Sequence, residues 1–143
     1  MFIVNVEAAI KRDQKWLIIQ RGLKEEHAAG TLSLVGGKVD QDGFIQDVLE
    51  ETLKREVEEE IGVTLTNSLQ YVHSTSFITA DDIHVVDIVF RCEIEAGEPY
   101  RKSPDEIENI DWLTAEEIMN HPDSPPWLKE SIKRAEQITR KVF

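Results

Sequence analysis

Between Gln46 and Ile61 the chain carries Val48, Leu49, Leu53, Val57 and Ile61 at steps of three and four residues, the period of an amphipathic helix. Gly62 follows, the residue type that most often ends one. Turning each residue by about 100° puts Leu49, Leu53 and Val57 at about 20°, 60° and 100° from Glu56, with Glu60 at about 40° and Glu59 at about −60°. Glu60 thus falls inside the apolar arc and Glu56 at its edge, whereas Glu51 and Glu58 fall on the opposite side. An unpaired carboxylate buried in that arc costs on the order of several kcal/mol, so a cation is expected beside it.

Glu56, Glu59 and Glu60 offer hard oxygen ligands alone, which suits Mg²⁺ or Mn²⁺. Without His or Cys in the cluster, zinc is disfavoured. The competing reading is a solvated Glu-rich helix face; the wheel position of Glu60 and the upstream Gly36-Gly37-Lys38 argue against it. Two glycines in succession let backbone groups approach a metal or a phosphate closely.

Arg55-Glu56-Val57-Glu58-Glu59-Glu60-Ile61-Gly62-Val63 resembles the second half of the box of the Nudix hydrolases at every fixed position. The first half departs: nine residues rather than five separate Gly37 from Asp47, Asp47 stands where the family has Glu, and Val35 replaces a proline often found before Gly-Gly. We read this as a four-residue insertion at or near Asp40–Gly43. The resemblance implies a Nudix-type α/β/α sandwich with a mixed sheet. It also implies hydrolysis of a pyrophosphate bond in a nucleoside diphosphate linked to another group. By the same resemblance, Glu56, Glu59 and Glu60 bind metal, the Gly37 carbonyl completes the shell, Lys38 neutralises phosphate oxygens, and Arg55 orients the carboxylates. A further acid ahead of the Trp112 strand is expected at Glu106, with Asp105, Glu108 and Glu98 as alternatives. Either Glu56 or Glu106 is the general base. Arg21 is expected to face the nucleotide.

The 143 residues read as one domain, long enough to bury a core without disulfides. Cys92 is the only cysteine, which fits a reducing cytoplasm. Neither a leader peptide nor a membrane span is legible, and a cytoplasmic location is expected. The net charge of −12 disfavours a nucleic-acid polymer or an anionic membrane as partner. It is compatible with a small nucleotide substrate bridged by cations, and it leaves a homodimer open.

Along the chain, Phe2–Ile10 and Lys15–Gln20 read as a hairpin around Lys11–Gln14, and Gly30–Val35 as a strand that delivers Gly36-Gly37 at its end. Leu69–Ile78 and Ile83–Ile94 read as a second hairpin across Thr79–Asp82, and Ile107–Leu113 as a short strand. Thr114–Glu117 is a capping box opening a helix that Asn120 and Pro122 end. The last helix starts at Ser124-Pro125, with Leu128, Ile132, Ala135, Ile138 and Val142 toward the sheet and Lys129, Lys133, Arg134 and Lys141 toward water. His73, His84 and Asp87 read as structural. Phe77 or Tyr71 could stack on a base, although aromatics in strands are usually core or cross-strand pairs, and Phe77 is carried as a substrate contact; Trp127 could flank a base, with core packing the simpler reading.

Nudix relatives that prefer ADP-ribose tend to carry a proline, and those that cleave dinucleoside polyphosphates a tyrosine, some sixteen to eighteen residues past the box. Ile78–Asp81 has neither. The resemblance is then to the MutT-like branch, which converts (deoxy)nucleoside triphosphates to monophosphate and pyrophosphate. An ADP-ribose or nucleotide-sugar pyrophosphatase and a non-catalytic nucleotide-binding module are the alternatives.

Overall fold

The computed structural model describes residues 1–23 and 28–138. Its elements run β1 (Phe2–Arg12), β2 (Lys15–Arg21), β3 (Leu32–Ser33), β4 (Val35–Lys38), α1 (Val48–Ile61), β5 (Thr64–Leu65), β6 (Gln70–Ile78), β7 (His84–Cys92), β8 (Ile94–Ala96), β9 (Ile107–Leu113), α2 (Ala115–Asn120) and α3 (Pro126–Gln137). No helix is long and apolar enough to cross a membrane.

A mixed sheet is built around β1, as expected for the sandwich. β1 runs parallel to β7 in continuous register from Phe2 opposite His84 to Ile10 opposite Cys92. Its other edge is shared: β4 pairs antiparallel with Asn5–Ala8, and β2 pairs only with Lys11 and Arg12. Successive β1 residues point to opposite faces. Val6, Ala8 and Ile10 pack with Leu53, Val57 and Ile61 of α1 on one side, and Ala9 packs with Ile132 and Ala135 of α3 on the other. Asn5 and Glu7 share the face of Ala9, a fact that matters for the site.

The first hairpin turns on Asp13 and Gln14 alone, both at positive φ, so the strands run to Arg12 and from Lys15. A two-residue loop of this kind matches the twist of its strands. The expected strand Gly30–Val35 is broken at Leu34 into β3 and β4. The Gly pair lies within β4 rather than after a strand. A Cβ on Gly36 would overlap the Val6 carbonyl oxygen, so glycine is what allows this pairing. The long run Ile83–Ile94 likewise divides, and β8 pairs with β5 in a separate two-stranded sheet.

α1 starts at Val48, two residues later than the periodicity suggests, because Asp47 adopts a left-handed conformation. Thr114 and Glu117 form the capping box reciprocally. Tyr71 makes an edge-on contact with Phe90 across β6 and β7. Leu128, Ile132 and Ala135 are buried as expected; Lys141 and Val142 lie outside the described residues. Trp127 is not in the core: it is 55% exposed, because it occupies the first turn of α3, beyond the edge of the packed face.

Gly62 ends α1 at φ 70°, donating its N–H to the Glu58 carbonyl, and a Cβ there would overlap the Tyr100 ring. Gly62→Ala should therefore cost more than the roughly 1–2 kcal/mol of a left-handed alanine. Gly43→Ala, at φ 92° in open space, should cost the backbone strain alone. Thermal melts of the two variants check this, and equal losses would contradict the ring contact.

Candidate active site

α1 lies across β4 and β1 with its acidic edge toward Gly37. A Cβ on Gly37 would overlap the Glu56 carboxyl group, so the glycine is the space that carboxylate occupies. Glu56 has only 18% of its side chain exposed and lies 3.4 Å from Arg55 Nη2, which also holds Asp40 at 2.9 Å. Burial raises the Glu56 pKa, opposed by the Arg55 hydrogen bond and aided by Glu59. Asp40 lies in the stretch read as an insertion, and that stretch supplies a partner to Arg55.

Glu60 is where the wheel placed it. Its Oε2 is buried with no hydrogen-bond partner among the described residues. Burial, then a hydrogen-bond contact with the Glu106 carboxyl and the charges of Glu106 and Glu56, push its pKa to about 9, against a lowering by Arg21. Glu106 is brought there by backbone contacts. Its carbonyl accepts from Gly22 N–H at 3.0 Å, and the loop before it is fastened to the last turn of α1. There the Lys102 and Ser103 amides donate to the Glu60 carbonyl at 3.1 and 3.3 Å, and Lys102 Nζ lies 2.6 Å from Glu58. Asp105 and Glu108 are exposed neighbours, and Glu98 pairs with Arg12 instead.

The expected convergence of Glu56, Glu59 and Glu60 is only partial. Glu59 is 56% exposed and 3.9 Å from Arg55 Nε, and no three acidic, His or Cys side chains among the described residues form a ready-made cation site. Like charges repel, and Arg55 competes for two of the three. The chemistry nonetheless fits a hard divalent cation: all-oxygen donors, an orphaned buried carboxylate oxygen, and a glycine cradle beside Glu56.

On the opposite face of β1 a cavity of about 320 Å³ opens between β1, β6, β7 and the start of α3. Phe77 and Trp127 line it, as do Asn5, Glu7, Asp87 and Ser131. Asn5 Nδ2 donates to Asp87 Oδ1 at 2.7 Å. Ser131 Oγ is 2.9 Å from the buried His73 Nε2. Glu7 has its pKa raised by burial and then by a hydrogen bond with Asp87. Arg21 lines the same cavity, and its charge lowers the pKa of both Glu7 and Glu60, so it is felt at the cavity and at the acidic helix alike. Lys38, the exposed last residue of β4, does not line the cavity.

Of the residues that line this cavity, the sequence pointed to Arg21 and Phe77 as substrate contacts and to Asp87 and Trp127 as secondary candidates near a base, while Asn5 and Glu7 carried no expectation. The available signal was two polar residues on one face of an otherwise apolar strand.

The family model of the NUDIX domain matches residues 1–135. The chain belongs to the Nudix family. A MutT NUDIX hydrolase from Burkholderia pseudomallei is 31% identical with a TM-score of 0.75, covering 97% of this chain and 99% of that one. A MutT protein from Methanosarcina mazei is 25% identical with a TM-score of 0.78, covering 95% and 94%. A UDP-X diphosphatase shares the fold at 18% identity and a TM-score of 0.71, covering 96% of this chain and 62% of that one. No curated protein matches the chain at a significant level. The chain is accordingly a Nudix pyrophosphohydrolase, of a family that acts on small nucleotides with divalent metal ions.

The Glu60 environment has a measurable signature. Between pH 4.5 and about 9 the unfolded chain has released the Glu60 proton and the folded chain retains it. Stability of the cation-free Nudix domain should fall as pH rises through that window. Glu60→Gln should flatten this slope, melt higher than the wild type near pH 8.5 in chelator, and lose most of the Mg²⁺-induced rise in melting temperature. An unchanged slope in the variant would contradict the assignment, as would unchanged turnover at saturating Mg²⁺.

Proposed function

We propose that this enzyme hydrolyses a (deoxy)nucleoside triphosphate to the monophosphate and pyrophosphate in a Mg²⁺- or Mn²⁺-dependent reaction. The observation that carries this reading is an aromatic-flanked cavity that Arg21 lines, with the same arginine acting on Glu60 of the acidic helix. A cavity of about 320 Å³ suits one nucleoside, at the small end of ligand pockets. It leaves the phosphate chain to run past Arg21 toward Glu56 and Glu60.

Glu56, Glu59, Glu60, Glu106 and the Gly37 carbonyl would hold the cation, which supplies charge neutralisation of the phosphates and a lowered pKa for water. The chain's own groups do the rest. Glu56 or Glu106 takes the proton of a water whose oxygen attacks phosphorus, the bond to the pyrophosphate oxygen breaks, and pyrophosphate departs. Arg55, held by Asp40, keeps the Glu56 carboxylate turned toward Gly37. Lys38, at the end of β4, meets the outer phosphates. The whole chain acts as one catalytic domain, cytoplasmic where its substrates are.

A panel of canonical and oxidised nucleoside triphosphates, ADP-ribose, nucleotide sugars and diadenosine polyphosphates, assayed with Mg²⁺ for pyrophosphate or phosphate release, tests this. Triphosphates should be favoured, with rates climbing from neutral toward alkaline pH because the ligands must be ionised. A tenfold or greater preference for ADP-ribose in kcat/KM would overturn the substrate. Silence across the panel would point to a binding module.

A further inference from the structure

The polar end of the cavity is composed in one sense. Asn5 and Asp87 are directly opposite in the β1–β7 register, and the Asn5 amide is already donated to Asp87. Glu7 is two residues along the same face and lines the same cavity, where burial and then the Asp87 carboxyl raise its pKa. What the two acids turn to the cavity is carboxyl oxygen lone pairs.

Phe77 and Trp127 give this end planar apolar flanks, both partly exposed to the cavity. A flat ring with N–H groups on its edge would satisfy both features. A ring that presents a carbonyl oxygen to Glu7 and Asp87 would set acceptor against acceptor and leave both unpaired, a mismatch that polar sites reject strongly.

Resting on the reading of this cavity as the nucleoside site, we propose that Glu7 and Asp87 are specificity-determining residues that read the exocyclic amino group of the base. The enzyme then favours guanine, adenine or cytosine nucleotides over their amino-lacking counterparts. Asn5 is a positioning residue, holding the Asp87 carboxyl through its amide.

Matched substrates that differ at the amino group test this: dGTP against dITP, and dCTP against dUTP, compared by kcat/KM with Mg²⁺. The amino-bearing member should win by about tenfold or more in every pair that is turned over. Glu7→Gln, which replaces one acceptor by a donor, should bring the ratio close to one mainly through KM.

A second measurement does not need catalysis or a folded Glu7 variant. In wild-type protein without metal, dGMP should quench Trp127 fluorescence, identified by its loss in Trp127→Phe, at about tenfold lower concentration than dIMP, and dCMP likewise relative to dUMP. Ratios near one, or reversed, in either assay overturn the proposal, and so does absence of quenching by all four. Absence of hydrolysis with the quenching difference intact would overturn the proposed reaction and leave amino recognition standing.

Discussion

A carboxylate seated among leucines is the constraint from which the rest of this molecule follows. Glu60 shares its helical arc with residues that must face the sheet, so α1 cannot bury Leu53, Val57 and Ile61 without drawing Glu60 inward too. Removal from water favours the protonated acid, and the nearby Glu106 carboxyl adds to that preference. The helix thus stores an unfavourable electrostatic arrangement that packing enforces, and that a divalent cation would relieve. Asp40, in the polar stretch before α1, adds to the strain on Glu56 by its own charge while it shares Arg55.

Backbone proximity does what side chains cannot in this region. β4 lies so near β1 at Gly36, and so near Glu56 at Gly37, that neither position tolerates a Cβ. Gly22 plays a comparable part at the end of β2, where its N–H holds the Glu106 carbonyl and the Asp105 carbonyl lies against its α-carbon. Glu56, Glu60 and Glu106, the acids of the proposed site, are therefore positioned by a glycine beside the side chain or amides on the backbone carbonyl as much as by partners of opposite charge.

Local features were legible in the sequence because they obey local rules. The period of α1, the Thr114 capping box, the Gly62 stop and the burial of Glu60 each depend on residues within a few positions of one another. The cavity was not, because it depends on which strands become neighbours. Asn5 and Glu7 acquire meaning only when β1 lies against β7 and Asp87 arrives opposite Asn5. Trp127 read as core before base-flanking because an aromatic at the start of an amphipathic helix is usually core; its exposure depends on where α3 begins relative to the sheet. The Gly pair was recognised as special, but its place inside a paired strand required knowing that Val6 would be across from Gly37.

The parallel pairing of β1 with β7 also bears on how the chain reaches this state. One edge of β1 is completed only by β7, far along the chain from it, and the Trp16 indole waits for Glu136 of α3, to which it donates at 2.7 Å. Closing such long loops is slow relative to local structure. During synthesis the acidic helix, a local element, can form well before β7 emerges. The cavity wall formed by Asn5, Glu7 and Asp87 cannot. Charge for the phosphate end would thus exist in a chain that still lacks any surface to recognise a base, and selectivity would be the last property the molecule acquires.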